Sequence, residues 1–148
     1  IHRPKILNIA NVGIKDLTGI EKFINLEGII CINNKLSKLD LSKNKKLQFV
    51  YCFENNLSEL NVGSNPSLSV LLCGNNNLKK LDIGSSKGLK VLNCSDNQFT
   101  ELDIRRCPTL AIMDCNQNSP YILHVTEDQK DTYSDTKIWT INNAQLAY

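Results

Sequence analysis

The chain has 148 residues, of which 41% are hydrophobic and 22% are charged, and its formal net charge is +2. This length is typical of a single domain. Because the Lys and Arg residues are scattered and form no basic stripe, the charge pattern argues against nucleic-acid binding. No apolar run approaches the ~20 residues of a transmembrane helix, which argues against membrane insertion.

Residues 1–25 are predicted to form an atypical first repeat. Leu17, Ile20 and Phe23 recur at three-residue steps, and this spacing predicts a helical turn over 19–25. The first four residues lack the basic and apolar pattern of a signal peptide. Targeting therefore has to be inferred from other features.

Residues 26–130 are predicted to form five repeats of 21 residues. Each repeat has one cysteine, and an asparagine follows it after three residues. A fixed period in this range indicates stacked units, and L-x-x-[IVLM]-x-C-x-x-N-x-L-x-x-L-[DN]-[LVI] is the leucine-rich repeat pattern with cysteine in place of the third leucine. We call the two sets the cysteine ladder (Cys31, Cys52, Cys73, Cys94 and Cys115) and the asparagine ladder (Asn34, Asn55, Asn76, Asn97 and Asn118).

Each repeat contains two short strand patterns separated by turns. In the first, Leu47, Val50 and Cys52 are predicted to point inward while the residues that alternate with them point outward. In the second strand pattern, over 60–62, the first and third residues are predicted to point inward and the middle one outward. Since two strands and two turns leave little room for a helix in 21 residues, the sequence predicts a mostly β, right-handed leucine-rich repeat solenoid with two parallel sheets.

Residues 126–148 are predicted to form a C-terminal cap, because an uncovered solenoid end would leave strand edges unpaired. Thr126 and Gln129 have the spacing of a capping box and predict the start of a helix. Trp139 is the only tryptophan and is predicted to cover the last repeat. With this cap, residues 1–148 are predicted to be one leucine-rich repeat domain.

The cysteine ladder suits a structural role better than a redox or metal-binding one. Cysteine is among the most buried residue types, and although neighbouring ladder cysteines lie within disulfide distance, five equivalent sites cannot all pair. We therefore predict buried free thiols. Cys107 aligns with Asn44 and Asn65 and is predicted to be a turn residue. The asparagine ladder is predicted to satisfy backbone groups that the turn leaves unpaired.

No catalytic motif is present. The two histidines, His2 and His124, are far apart in sequence, and no nucleophile elbow, zinc-protease helix, P-loop or paired-cysteine motif occurs. The nonapeptide of calcium-binding β-solenoids is also missing. The sequence predicts a protein that is not an enzyme and has no cofactor and no metal site.

Charges alternate in sign along one column of the second strand, at Lys38, Glu59, Lys80 and Glu101. Opposite charges on adjacent strands favour in-register stacking by ~0.2–1 kcal/mol per pair. We therefore predict ion pairs between repeats on a solvated face.

The outward positions of the first strand are apolar or aromatic. A patch of this kind commonly marks a binding site, and Tyr and Phe are favoured interface anchors. We predict a partner-binding face here; the alternative is that another domain or a second copy covers it. The predicted residues are Ile30, Ile32, Phe49, Tyr51, Phe53, Val70 and Leu72.

Residues 6–125 resemble the repeats of bacterial internalins, and the cysteine-containing rows resemble the 21-residue subclass that stacks cysteines into a ladder. The resemblance implies an extracellular or cell-surface module that binds a protein, in adhesion or host recognition, without catalysis. A carbohydrate-binding module that uses the same aromatic face and a structural spacer within a larger surface protein are the alternatives. The resemblance transfers no specific binding residue.

Overall fold

The computed structural model describes residues 5–84, 86–116, 118–133 and 138–148. The chain winds into turns of similar length, and most turns contribute a short strand to each of two faces. In chain order the strands are β1 (Ile6–Asn8), β2 (Gly28–Ile30), β3 (Lys38–Asp40), β4 (Phe49–Tyr51), β5 (Glu59–Asn61), β6 (Val70–Leu72), β7 (Val91–Asn93), β8 (Glu101–Asp103), β9 (Ile112–Asp114), β10 (Tyr121–His124), β11 (Ile138–Thr140) and β12 (Ala144–Ala147).

The first sheet is continuous from one end of the solenoid to the other. Its seven strands lie in the order β1-β2-β4-β6-β7-β9-β11, and all adjacent strands are parallel. Equivalent residues of successive repeats face each other, so that Val50 pairs with both Ile29 and Leu71. Side chains one repeat apart therefore form columns that run across the strands.

The second sheet is interrupted. β3 pairs with β5, and β8, β10 and β12 pair with one another in a separate piece. In the third repeat, only a bridge between Asn61 and Asp82 continues the pairing. Among the described residues, no ladder joins 81–83 to β8, so the second face opens between the third and fourth repeats.

The core lies between the two faces and is built from the inward columns. Leu47, Val50 and Cys52 are fully buried, as the alternation predicts. Burial of one such aliphatic side chain contributes roughly 1.5–3 kcal/mol relative to exposure. Repetition of these columns in each turn holds the solenoid together without a long helix.

The two ends of the solenoid differ. The predicted N-terminal helical turn is a short 3₁₀ helix at Ile20–Lys22. At the other end, helix α1 (Glu127–Tyr133) starts with the predicted capping box, in which the Gln129 amide donates to Thr126 Oγ1 and the Thr126 amide donates to Gln129 Oε1. Trp139 is buried and pairs with Met113 on the last repeat.

One expectation about the cysteine ladder is wrong. Cys94 and Cys115 form a disulfide bond, with their Cα atoms 5.0 Å apart. Strand stacking itself brings neighbouring cysteines to about 4.8 Å, which lies within the range of Cα separations in disulfides. The remaining cysteines are free and buried: Cys31, Cys52, Cys73 and Cys107.

The prediction of a mostly β leucine-rich repeat solenoid with little helix is confirmed. In the described part of the chain, no helix has the length and hydropathy needed to cross a membrane.

Candidate functional site

The predicted binding residues lie in neighbouring columns on the outer surface of the first sheet. Phe49 lies between Gly28 and Val70 in the register, and Tyr51 pairs with Leu72. Ile32 and Phe53 continue the alternation just beyond β2 and β4. The fold therefore brings all seven predicted residues onto one surface, which we call the first-sheet face.

Phe49 and Tyr51 form the centre of this face. Their ring centroids are 5.1 Å apart and the ring planes are inclined by 43°, an arrangement that contributes roughly 0.5–1.5 kcal/mol beyond area burial. The Phe49 ring lies directly against the backbone of Gly28. A Cβ atom at position 28 would overlap the ring, so only glycine leaves room for it. Sequence reasoning missed Gly28, although a glycine inside a strand pattern is a signal of close approach.

The seven predicted residues are half-buried, whereas the sequence pattern led us to expect an exposed patch. Adjacent strands lie about 4.8 Å apart, so large side chains in neighbouring columns shield one another. The column of Phe49 and Val70 continues to Ile6 and Ile112, which are 52% and 43% exposed. The apolar surface thus extends beyond the predicted residues towards both ends of the sheet.

Towards the C-terminal repeats the column of Tyr51 and Leu72 becomes polar. Asn93 follows Leu72 in the register, and its Oδ1 accepts a hydrogen bond of 2.9 Å from the Ser95 hydroxyl. Asp114 follows Asn93. A polar rim therefore borders the apolar columns.

A cleft of about 300 Å³ separates Phe53 from this rim. Gly74 makes the space, since a Cβ there would lie 2.6 Å from Asn93 Oδ1. Asn75 and Ser95 also line the cleft. An aromatic ring thus stands opposite amide and hydroxyl groups across a small depression.

The asparagine ladder lies inside the turn that follows each first strand. Asn76 Nδ2 lies 3.1 Å from the carbonyl oxygens of both Cys52 and Cys73, and donates to each. Asn76 Oδ1 accepts from the Leu57 amide at 2.9 Å. One amide group therefore links two successive repeats and satisfies buried backbone groups in both.

The free thiols have no access to solvent. Burial raises the pKa of Cys31 and of Cys73 to about 12, and raises the pKa of Cys107 to about 11. The Cys107 amide donates to Ile104 O at 2.9 Å, as the Asn44 amide does to Leu41 O in its own turn. Because thiolate is the reactive form, these thiols are poor nucleophiles and poor metal ligands at neutral pH.

The predicted charge pairing on the second sheet is only partly right. Lys38 Nζ lies 2.7 Å from Glu59 Oε1, but Lys80 forms no ion pair with Glu59 or Glu101. Glu101 instead lies 3.8 Å from His124 Nε2. Between the third and fourth repeats, a cleft of about 410 Å³, lined by both Lys80 and Glu101, takes the place of strand pairing.

Asp103, at the edge of this cleft, has an altered acidity that can be measured. Arg105 donates to it through Nε at 3.0 Å and Nη2 at 2.7 Å, and these hydrogen bonds lower the pKa of Asp103 to about 2. We expect Arg105→Gln to raise the Asp103 pKa towards 3.8 and Arg106→Gln to leave it unchanged, as followed by NMR titration of the carboxyl group. An unchanged pKa in Arg105→Gln would show that the ion pair is absent in solution.

The sign of the effect on stability follows from the lowered pKa. The Asp103–Arg105 pair stabilises the folded chain above the ordinary carboxyl pKa, and this contribution is lost as the pH falls towards 2. Since both side chains are 46% exposed, solvent screens the pair and its contribution to stability is small.

Among the described residues, no cluster of three or more His, Cys, Asp or Glu side chains is arranged to hold a metal ion.

No protein-family model and no curated protein matches the chain. Among solved structures it is similar to the functional domain of InlJ from Listeria monocytogenes, a domain described as including a cysteine ladder. The match has 22% identity and a TM-score of 0.38, and it covers 82% of this chain and 48% of that one. The chain thus spans about half the length of that structure.

Proposed function

We propose that this chain is a non-catalytic, protein-binding module of a secreted or cell-surface bacterial protein, of the internalin-like, cysteine-ladder kind. The partner contacts the first-sheet face, with Phe49, Tyr51 and Phe53 as its anchors. The observation that carries the proposal is the continuous apolar and aromatic surface on an outward-facing sheet, bordered on one side by polar residues.

Three properties of this face favour a protein partner. The Phe49 ring is held against Gly28, so that little side-chain freedom is lost on binding. The Tyr51 hydroxyl has no hydrogen-bond partner among the described residues and can bond to a partner. Asn93 and Ser95 supply a polar rim around the anchors, as in interface hot spots.

An exported location is supported by the cysteines as well as by the resemblance of the repeats. The Cys94–Cys115 disulfide is of a kind that persists in oxidising compartments and is rare in the cytosol. A module of this kind acts in adhesion or in recognition of a host or partner protein.

The test is the combined change Phe49→Ser, Tyr51→Ser and Phe53→Ser. A photo-crosslinking amino acid at position 112, an exposed site at the end of the Phe49 column, first identifies the partner, and calorimetry then measures the affinity of the wild type and the triple variant. We expect the triple variant to bind at least about 100-fold more weakly, because aromatic anchors each contribute roughly 2 kcal/mol or more.

The matched control is a triple serine variant on the opposite face, with Lys38→Ser, Glu59→Ser and Asn61→Ser, all at exposed positions. It is expected to bind as the wild type does. If both folded triple variants keep full affinity, the first-sheet face is not the binding surface.

The cleft at Gly74 favours a second candidate, a carbohydrate ligand. The Phe53 ring can stack on the apolar face of a sugar, while Asn75 and Ser95 line the same cleft and can bond to hydroxyl groups. Saturable binding to one glycan on an array, lost in Tyr51→Ala and Phe53→Ala, would favour this candidate. If the chain bound no glycan on the array, a protein partner would be the remaining candidate ligand.

A further inference from the structure

The turns that lead from the second strand of one repeat to the first strand of the next are rich in cations. In four successive repeats these turns span 42–46, 63–67, 84–88 and 105–109 of the sequence, and they contain no Asp or Glu. The opposite turns, over 32–36, 53–57, 74–78 and 95–99, have one Lys, one Glu and one Asp. We call the first set of turns the basic edge, and its cations, all exposed, are Lys43, Lys45, Lys46, Lys87, Arg105 and Arg106.

Direct contacts stack the turns of the basic edge on one another. The Asn65 side chain donates to Asn44 O at 2.9 Å and joins the first two turns. The second and third are as close, since a Cβ at Gly88 would lie 3.1 Å from the second turn. Thr109 Oγ1 donates to Lys87 O at 2.8 Å and joins the last two. Cations that are scattered along the sequence are therefore collected within three strand spacings, roughly 14 Å along the solenoid.

The second turn separates the cations into two groups. It contains only Gly, Ser, Asn and Pro, and the side chains of Ser64 and Ser67 are exposed. Lys45 reaches over this turn from the first, with its Nζ 3.4 Å from Ser64 O. A ligand that lies along the basic edge thus meets hydroxyl groups in the middle and cations on both sides.

The carboxylates nearest to the basic edge already accept hydrogen bonds. Asp40, Asp82 and Asp103 lie just before the turns, and each accepts from the backbone amide two residues later, at 2.8 to 3.0 Å. Asp103 also pairs with Arg105. The six cations still exceed these three carboxylates by three charges. In helix α1, which packs on the fourth turn, three acidic residues outnumber one Lys, so the basic edge ends there.

We propose that the basic edge binds a sulfated polysaccharide. A dense row of exposed cations over a short distance suits a ligand with several anionic groups on one chain. The exposed side chains of the described turn residues are Lys, Arg, Ser, Thr and Pro. None of them is an aromatic ring that stacks on nucleic-acid bases or a large apolar group that enters a lipid surface. The surface is separate from the first-sheet face, so the proposal does not depend on the proposed function.

The test is calorimetry with a heparin hexasaccharide at several salt concentrations. Binding releases counterions, so the slope of log affinity against log salt concentration increases with the number of ion contacts. We expect the combined variant Lys45→Gln, Lys87→Gln and Arg106→Gln to bind at least about 10-fold more weakly and to have roughly half the wild-type slope. The fully desulfated hexasaccharide, which keeps only its carboxylates, is expected to bind the wild type more weakly than heparin does.

The comparison variant is Lys15→Gln, Lys35→Gln and Lys79→Gln, which has the same net charge and changes exposed lysines outside the basic edge. We expect it to bind heparin as the wild type does. The triple serine variant of the first-sheet face is expected to do the same, which separates this proposal from the proposed function. Absence of heparin binding, equal losses in the two glutamine variants, or tighter binding to oligothymidylate or to anionic lipid vesicles than to heparin would each overturn the proposal.

Discussion

Replacement of Asn76 by alanine is expected to lower the free energy of unfolding by about 3–5 kcal/mol. Asn76 is buried, and its side chain donates to the carbonyl oxygens of Cys52, Cys73 and Gly74 and accepts from the Leu57 amide. Alanine leaves the Leu57 amide without a partner in a site that water does not reach. It also removes one of the two hydrogen bonds at each of the three carbonyl oxygens, where the bonds from the Asn55 side chain, the Asn97 side chain and the Glu54 amide remain. The unpaired amide costs roughly 1–3 kcal/mol, and each lost hydrogen bond costs roughly 0.5–1.5 kcal/mol.

The measurement is urea unfolding followed by far-UV circular dichroism, with Asn77→Ala as the matched control. Asn77 is exposed, and its amide keeps its bond to Leu57 O, so we expect less than about 0.5 kcal/mol. Since a solenoid is coupled only between neighbouring repeats, the slope of the transition should be compared as well as its midpoint. Equal stabilities of the two variants would show that the asparagine ladder does not hold the repeats together.

Phe99→Ala is expected to destabilise the chain by about 3–5 kcal/mol. Phe99 is fully buried and stands in the column of Leu57 and Leu78, while the next repeat has Pro120 at the equivalent position. The ring is thus the largest side chain in its column, and alanine would leave a cavity that rigid neighbouring strands cannot close.

Phe99→Leu is the matched control because it restores the leucine of the preceding repeats. We expect it to cost about 1–2 kcal/mol, since most of the apolar contact is kept. Thermal and urea unfolding of both variants would check that Phe99→Ala is less stable than Phe99→Leu. A Phe99→Ala protein as stable as Phe99→Leu would mean that the column relaxes to fill the space.

Much of this molecule can be predicted because the same alternation is repeated. An inward residue such as Val50 is buried in every turn for the same reason, and the capping box at Thr126 depends only on local spacing. The first-sheet face is predictable on the same grounds, since a residue between two inward positions has to point outward. The half-burial of Tyr51 was not predictable, because it depends on the size of side chains in adjacent columns.

The 21-residue period by itself determined the solenoid, the two ladders and the residues that lie on each face, since period and alternation are properties of one turn and its direct copy. Only the tertiary structure decided that the disulfide joins Cys94 to Cys115, that the Phe49 ring lies on Gly28, and that the second sheet opens after 81–83. Neighbouring ladder cysteines are all one strand spacing apart, which is close enough for a disulfide. Every repeat also has a similar strand pattern. The choice among such equivalent sites depends on how particular side chains pack between repeats, which a repeating pattern does not specify.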